Sequence, residues 1–370
     1  MSAVTFTRSD RPGWSDRWQK WRLGLFSSPI NTATTLLVVA LATWVAWRLF
    51  QWAVVNATWS GTAEDCQANS GACWAFVRAN IKLMVFATYP TEMLWRPIAS
   101  LVLMFGLVIS SMAPRLWSRS LALAWILVPV VVCLLLSGSF SGTRISTNEW
   151  GGLPLTMLIW TIAYAASFLI AIPLALARRS NMGGTRVASI GFIEIVRGMP
   201  MLVVLYVSSL IVPMMLPIFD INLFFSVEVA LTIFIASYLA ETIRAGIQAL
   251  PAGQNEAARA LGLSYWQTTG LVILPQALRA IIPPLVNLGI GVLLSTPLVG
   301  FIGMIDFLTA VRFAASQEQI WPGCYNEAYA FAALIYFVIC FGASRYSLWL
   351  ERRLKGRLGH GVRTQGPEET

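Results

Sequence analysis

The stretch "LPLTMLIWTIAYAASFLIAIPLALA", residues 153–177, decides the fold of this 370-residue chain. It contains no charged side chain over its whole length. A bilayer core of about 30 Å is crossed by about 20 helical residues, and a run this long and this apolar is typical of a membrane span. The stretch therefore predicts a transmembrane α-helix.

Seven other apolar runs of comparable length flank this one. They cover residues 32–55, 98–113, 121–136, 199–217, 225–243, 281–302 and 328–350. The composition agrees with them, because 57% of the residues are hydrophobic and only 12% are charged, whereas about 25% of the residues in a soluble domain carry charge. We expect an all-α polytopic membrane protein with about eight transmembrane helices.

The basic residues give these helices a direction. With the N-terminus inside, 20 of the 26 Lys and Arg residues fall in cytoplasmic segments or, for Arg345, close to the last membrane exit. This distribution predicts cytoplasmic N- and C-termini. The net charge of +9 is then a topology signal and an attraction to anionic membrane lipid, and no nucleic-acid partner is needed to explain it.

Several kinds of chemistry are excluded by the residue inventory. The single histidine, His360, lies in the polar tail, and none of the three lysines is followed by Ser or Thr. A Walker A phosphate-binding loop needs that Lys-Ser or Lys-Thr pair. We therefore expect no catalytic residue, no metal site and no cofactor in this chain, and any nucleotide must be bound by another chain.

Two of the five cysteines, Cys66 and Cys73, lie close together in a polar external loop. Outside the cytosol they can form a disulfide, and two unpaired thiols are the alternative. The stretch that follows, residues 74–89, has apolar residues at near-helical spacing. It is interpreted either as a helix on the membrane surface or as a loop folded on its own protein.

The cytoplasmic connection 244–284, "RAGIQALPAGQNEAARALGLSYWQTTGLVILPQALRAIIPP", is unusually long. Asn255 is expected to cap a short helix over Glu256–Leu261, and Gly262 to allow a turn after it. Ser264 is expected to cap a second helix over Tyr265–Leu274, which Pro275 perturbs.

The first of these helices has a surface suited to contact with another protein. Three compact side chains, Ala257, Ala258 and Ala260, are expected on its outside. Small side chains permit close approach by another chain. The segment is therefore predicted to be a helix–turn–helix docking knob.

This connection resembles the EAA loop of ABC importer permeases, whose pattern is E-A-A-x3-G-x9-I-x-L-P. The pattern falls on Glu256, Ala257, Ala258, Gly262, Leu274 and Pro275, with Val272 at the Ile position. Strings at 151–180, 192–206, 237–264 and 274–287 are similar to those of the polar amino-acid uptake permeases, the group with histidine, glutamine and general L-amino-acid systems. In that family the loop is the coupling helix that sits in a cleft of the ATP-hydrolysing subunit.

The resemblance implies a domain organisation. Residues 151–355 would form a type I permease core of five transmembrane helices with the EAA loop. Residues 1–150 would be an extension with three transmembrane helices and a long periplasmic loop, which resembles the M-type membrane subunit of the general L-amino-acid permease. Residues 356–370 would be a cytoplasmic tail.

The resemblance also implies partners and a location. The chain would be a multi-pass protein of a bacterial inner membrane that carries polar or general L-amino acids. It would assemble with a second permease subunit as a heterodimer and with a periplasmic amino-acid-binding protein. Two ATP-binding subunits would hold ATP and magnesium.

Charged residues near the cytoplasmic ends of two core spans are candidate inner-gate ion pairs. Glu194 with Arg197, and Glu241 with Arg244, are three residues apart and so share a helix face. They are interpreted as latches that rearrange at an inner gate or as static salt bridges at helix ends. Glu228 is expected to be an interfacial acid near the external end of its span.

The fourth core span is predicted to line the substrate pathway. It contains Asn287, Ser295 and Thr296, and helix-breaking residues after them predict an interrupted helix that exposes backbone groups. Helix packing is the alternative role for the polar residues. Family members commonly carry "KDTSL" where this chain reads "LSTPL", residues 294–298. We therefore expect a neutral, hydroxyl-lined half-site, with charged contacts supplied by the other permease.

Two other function classes compete with the importer. An ion-coupled secondary amino-acid transporter would predict internal repeats and mid-span carboxylates, and neither is evident. A non-transporting membrane scaffold would not need the coupling loop, and a membrane enzyme is disfavoured by the scarcity of His and of clustered acids.

Overall fold

The computed structural model describes residues 18, 22, 24–139, 142–217, 221–317 and 320–358. The basic N-terminal residues before Trp18, Lys20, and the tail from residue 359 onward with His360 lie outside this part. Within the described ranges the chain is helical, and β-type pairing is limited to the isolated bridges Thr58–Cys73 and Gly152–Asp306.

The described residues form two compact units, one up to Phe76 and the other from Val77 onward. In the first unit, helix α1 (Pro29–Phe50) continues through a wide π-turn to Val55. Ser28 caps the helix by accepting a hydrogen bond from the backbone N of Asn31, 3.2 Å away. No side chain along α1 is buried, which is the exposure expected of a helix surrounded by lipid.

The polar loop after α1 contains a short helix and a disulfide. Helix α2 (Ala63–Ala68) begins at a capping box, in which the backbone N of Thr62 donates to Asp65 Oδ2 over 2.7 Å. The Sγ atoms of Cys66 and Cys73 are bonded to each other. The next helix, α3 (Trp74–Phe86), buries Val77 and Met84 inside the protein, so the alternative of a loop folded on its own protein describes it better than a helix on the membrane surface.

The remaining helices belong to the second unit. In chain order they are α4 (Trp95–Ser111), α5 (Arg119–Ser137), α6 (Gly152–Ala177), α7 (Gly183–Gly198), α8 (Met201–Met215, with a π-turn at Val207–Ile211), α9 (Leu223–Gln248), α10 (Gly253–Ala260), α11 (Leu274–Ala280), α12 (Ile282–Ser295), α13 (Phe307–Ala315) and α14 (Tyr325–Leu358).

All eight predicted spans are helical, and the number of helices that could cross a membrane is close to the prediction. Among the described residues, six helices are long and apolar enough to span, and a seventh is added if the bent pair α7 and α8 counts as one. That pair turns by 103° at Gly198–Pro200, because Pro200 cannot continue a helix. Helix α4 matches the remaining run but has only 17 residues.

The core of the second unit lies between α6 and α9, which pack along each other. More than half of the residues in the most apolar stretch of each helix are buried, whereas only 17% of the corresponding residues in α5 are buried. Small residues at every fourth position of α6, Ala163, Ser167, Ala171 and Ala175, are fully buried. Such a stripe lets membrane helices approach closely.

Helices α4 and α5 pack on each other and on α6. Arg96, at the start of α4, is buried and donates from Nη2 to Thr143 Oγ1 over 2.8 Å. Tyr89 donates to the carbonyl of Leu136 near the end of α5 over 3.0 Å. Residues from the extension are therefore fixed to one another by buried polar contacts as well as by apolar packing.

Candidate functional site

The predicted docking knob is a helix–turn–helix, with a first helix that begins earlier than expected. Helix α10 starts at Gly253 rather than at Glu256, because backbone bonds from Gln254 and Asn255 to the carbonyls of residues 251 and 252 already form a turn after Pro251. The expected Asn255 cap is therefore wrong. Glu256 still lies in the first turn of the helix, where a carboxylate is favoured by the helix dipole.

The turn after α10 depends on Gly262, whose φ of +77° lies in the left-handed region. The backbone N of Leu263 donates to the carbonyl of Ala258 over 3.2 Å and closes the helix end. Ser264 then forms a capping box with Gln267, as its predicted capping role requires. The second arm of the knob, residues Tyr265–Ala280, differs from the single helix predicted, because a π-turn over Thr268–Ile273 precedes α11.

Pro275 explains that π-turn. A proline inside a regular helix lacks a backbone N–H and clashes with the preceding turn. The wider turn before α11 places Pro275 in the first turn of a new helix, where no N–H is needed. Leu274 is the first residue of that helix.

The outer surface of the knob is more apolar than expected. Ala257 and Ala260 are exposed, but Ala258 is only 3% exposed and packs inward, which corrects its predicted surface position. A run of larger apolar side chains takes the outside instead: Leu261, Tyr265, Trp266 and Leu271 are all more than half exposed. Exposed apolar patches of this kind mark contacts with other molecules.

The second arm of the knob is joined firmly to the core. Gly246 in α9 leaves room for Ile281, and a Cβ at residue 246 would lie 3.3 Å from the carbonyl oxygen of Ala277. On the other side, a cavity of about 770 Å³ separates α10 from the ends of α6 and α9, and Arg179, Glu256 and Thr269 are among its lining residues. The knob is thus packed against α9 through its returning arm.

The inner-gate residues form a network rather than two separate pairs. Arg244 binds Glu241 within α9, as their spacing predicts. Glu194 does not pair with Arg197 but accepts from Nη2 of Arg178 over 3.0 Å. The Nη1 atom of Arg178 lies 3.3 Å from Oε2 of Glu241. Arg197 instead lies over the ring of Tyr238, 5.1 Å from its centroid.

Arg178 is the residue that the sequence analysis missed. It follows the end of α6 and links carboxylates on α7 and α9. In the sequence it served only as one of the basic residues that set the topology. Its position beside Arg179, directly after an apolar run, gave no signal that distinguishes one of the two guanidinium groups from the other.

The three pathway candidates do not converge on one point. Asn287 is exposed and Ser295 is partly exposed, and they share one face of α12 with Gly291 because they are spaced by four. Thr296 is 1% exposed and donates to the carbonyl of Leu293 over 2.7 Å. The interruption that was predicted after Ser295 is present, since the chain continues as a 3₁₀ helix over Thr296–Ile302.

Two acidic side chains outside α12, Asp306 and Glu228, are buried. Asp306 is fully buried and caps α13 by accepting from the backbone N atoms of Leu308 and Thr309, each over 3.1 Å. Burial raises the pKa of the Asp306 carboxyl, although these hydrogen bonds oppose the shift. Glu228 in α9 was expected at the interface, but it is buried, and neither carboxylate oxygen has a hydrogen-bond partner among the residues that the structure describes.

Known proteins resemble this chain over most of its length. The family profile described as "binding-protein-dependent transport system inner membrane component" matches residues 167–356. The chain is 40% identical to the inner membrane amino-acid ABC transporter permease protein YhdY of Escherichia coli (strain K12), over 97% of this chain and 100% of that protein.

Two further relatives extend this comparison. The glutamate/glutamine/aspartate/asparagine transport system permease protein BztC of Rhodobacter capsulatus is 32% identical, over 91% of this chain and 93% of the relative. The glutamate/aspartate import permease protein GltK of Escherichia coli O6:H1 is 36% identical, over 55% of this chain and 91% of the relative. The chain therefore belongs to the family of binding-protein-dependent transport system inner membrane components.

Proposed function

We propose that this chain forms part of the amino-acid pathway of an ABC importer and couples that pathway to ATP hydrolysis through the loop at 253–280. Family membership makes it a multi-pass permease subunit of the inner membrane. Amino acids are the cargo named for both of the long relatives, and this supports the same class of substrate here.

The observation that carries the coupling role is the geometry of the knob. Helix α10 presents Glu256 and Ala257 outward, Gly262 turns the chain, and α11 with Leu274 and Pro275 returns it to the core. A short exposed helix that is joined to α9 through its returning arm passes a push from outside the membrane to a spanning helix. Ala258, the remaining residue of the motif, packs inward and holds the helix in place.

The partners follow from the class of transporter. ATP-binding and substrate-binding proteins accompany permeases of this family in general. The specific assembly we propose has a different permease subunit as the second half of the pathway, two ATPase subunits that bind ATP and magnesium, and a periplasmic amino-acid-binding protein. This chain contributes no ATPase site, because its sequence has no Walker A loop.

The proposed direction of the chain places both termini and the knob in the cytoplasm. The disulfide of Cys66 and Cys73 then lies in the periplasm, where disulfides persist. In the same frame the network of Arg178 with Glu194 and Glu241 lies at the cytoplasmic end of the spans, which supports a role at the inner gate. Arg197 and Arg244 complete this charged layer.

The pathway face proposed for α12 contains Asn287 and Ser295, with Thr296 at the start of the 3₁₀ segment. These are neutral hydrogen-bonding groups. Asn287 and Ser295 form the uncharged half of a substrate site on the exposed face of α12, and Thr296 supports the end of that helix from its buried side. The second permease contributes the groups that bind the charged ends of an amino acid.

Reconstitution tests this function. The chain, its companion permease and the ATPase are placed in liposomes, with binding protein and a radiolabelled amino acid outside and ATP inside. Uptake that requires ATP and is abolished when residues 253–262 are replaced by a Gly-Ser linker of equal length is the expected result. Uptake driven by a proton or sodium gradient without ATP would contradict the proposal.

A further inference from the structure

An aromatic ladder runs from the extension to the proposed pathway helix. It begins at Ser111 near the end of α4, passes through Trp125 of α5 and Trp160 of α6, and ends at α12. The Nε1 atom of Trp125 donates to Ser111 Oγ over 2.9 Å. The rings of Trp125 and Trp160 lie 6.2 Å apart at 60°, a separation and tilt at which aromatic pairs attract.

The far end of the ladder clamps α12 by its backbone. Trp160 Nε1 donates to the carbonyl of Gly289 over 2.8 Å, and Tyr164 Oη donates to the carbonyl of Leu285 over 2.7 Å. A carbonyl oxygen has two lone pairs, so each can accept this bond beside its helical one. The rings of Trp160 and Tyr164 are stacked 5.8 Å apart, which fixes the two donors relative to each other.

The register of these two bonds is that of antiparallel helices. Trp160 and Tyr164 are one turn apart on α6, and Gly289 and Leu285 are one turn apart on α12 in the reverse order. Because both pairs match in spacing, the two bonds form together only at one axial position of α12. A shift of α12 by one residue, about 1.5 Å, would misplace both acceptors.

Helix α12 needs such external support. It contains Pro283 and Pro284 in its first turn and Gly289 and Gly291 in its middle. The two glycines weaken the interior of this helix, whereas the prolines lie in its first turn, where no backbone N–H is needed. The aromatic pair lies close against the backbone of α12 at Gly289, where a Cβ would stand in van der Waals contact, 3.6 Å from ring atoms of both Trp160 and Tyr164.

We propose that Trp125, Trp160 and Tyr164 are positioning residues through which the accessory helices α4 and α5 fix the axial position of α12. The inference rests on the proposed function only in taking α12 as the pathway helix. It gives the accessory helices a mechanical role within the permease. Trp125 supports the ring of Trp160, and Trp160 with Tyr164 holds the backbone of α12.

Hydrogen exchange of the complete complex in lipid nanodiscs tests the ladder without relying on transport. Trp125→Leu and Tyr164→Phe are compared with the wild type, and exchange is followed in peptides that cover residues 282–302. Trp125→Leu removes an aromatic contact and Tyr164→Phe removes a hydrogen bond; because each is worth about 0.5–1.5 kcal/mol, exchange there should accelerate roughly two- to tenfold. Peptides from α14 should keep their wild-type rates.

Trp117→Leu is the matched control. Trp117 also donates from Nε1 to Ser111, to the backbone carbonyl over 2.9 Å, but its ring is not a member of the ladder. This variant should leave exchange in residues 282–302 unchanged. The conservative variant Trp125→Phe keeps an aromatic ring beside Trp160 and should restore most of the protection that Trp125→Leu removes.

Amino-acid uptake by the same variants supplies the functional readout. We expect Trp125→Leu to raise the substrate concentration for half-maximal uptake about threefold or more, with basal ATP hydrolysis unchanged. Unchanged exchange in residues 282–302, or equal acceleration in Trp117→Leu, would overturn the positioning role. If the wild-type complex takes up no amino acid, the proposed function fails, and the exchange data still decide whether the ladder holds α12.

Discussion

The guanidinium of Arg178 lies 3.0 Å from the carboxylate of Glu194, across the turn that joins α6 to α7. The same guanidinium reaches Glu241 on α9. Three helices therefore meet at one side chain. Because Arg178 is about one-fifth exposed and Glu194 more than half exposed, this pair contributes modestly to stability, about 1 kcal/mol or less. The significance of the contact lies in which helices it joins.

Arg178→Gln should weaken coupling more than it weakens folding. The change removes both bridges from α6, while Glu241 keeps Arg244 as its partner. We expect fewer amino acids transported per ATP hydrolysed in reconstituted liposomes, with a melting temperature lowered by only a few degrees. Arg179→Gln removes the same charge from the adjacent residue, for which no ion pair is recorded in the described part of the chain. Equal losses in the two variants would show that charge alone matters.

Gly262→Ala should impair the docking knob through its backbone. The left-handed φ of +77° costs a residue with a Cβ about 1–2 kcal/mol, whereas the space around the Cβ position is open. We expect binding to the ATPase to weaken by about 5- to 30-fold, measured by surface plasmon resonance on the purified complex.

Two further variants make this test specific. Gly262→Asn should weaken binding less than alanine does, because Asn tolerates the left-handed region better. Gly253→Ala, in the first turn of α10 where φ is not left-handed, should bind the ATPase normally. Loss of binding in Gly253→Ala that matches Gly262→Ala would contradict a role for the turn.

Ser295→Ala and Thr296→Val test separately the partly exposed hydroxyl group of Ser295 and the buried hydroxyl group of Thr296. Ser295 lies on the partly exposed face of α12, and its Oγ donates to the carbonyl of Gly291 over 2.8 Å. Thr296 is buried. Ser295→Ala should raise the apparent KM for uptake by about tenfold, because the loss of a hydrogen bond to the substrate costs about 1–2 kcal/mol of binding free energy. Thr296→Val should chiefly lower the melting temperature. Uptake with wild-type affinity and rate in both variants would end the half-site proposal.

The disulfide predicts a pattern of alkylation. Treatment of unfolded, unreduced protein with iodoacetamide should label Cys133, Cys324 and Cys340, the three free thiols, and reduction should expose two further sites at Cys66 and Cys73. Intact-mass spectrometry counts the labels. Protein from cells that lack the periplasmic disulfide oxidase is the control. Five labels without reduction in protein from wild-type cells would place this loop in a reducing compartment.

Apolar length and glycine placement made much of the fold predictable. The run at 153–177 became α6 because no charge interrupts it, and the run at 225–243 became α9 because its apolar length outweighs Glu228 and Glu241. Gly262 was identifiable because a left-handed turn leaves few other choices. Ser264 was identifiable as a cap because its hydroxyl can bond the backbone N of Gln267.

Contacts between distant helices were not predictable from local patterns. The partner of Glu194 is Arg178, across a turn, and Arg197 at the expected spacing stacks on Tyr238 instead. The bonds of Trp160 and Tyr164 to α12 cross more than 120 residues of chain. Such pairings depend on how the helices pack in three dimensions, and spacing along one helix does not encode that.

The antiparallel register of Trp160 and Tyr164 with Gly289 and Leu285 constrains how the permease can move. Two bonds at matched spacing oppose sliding of α12 along α6, so we expect these helices to move together during the transport cycle. We expect the relative motion that opens and closes the pathway at other boundaries, such as the junction of α6, α7 and α9, where the connecting groups are partly exposed ion pairs that can exchange partners.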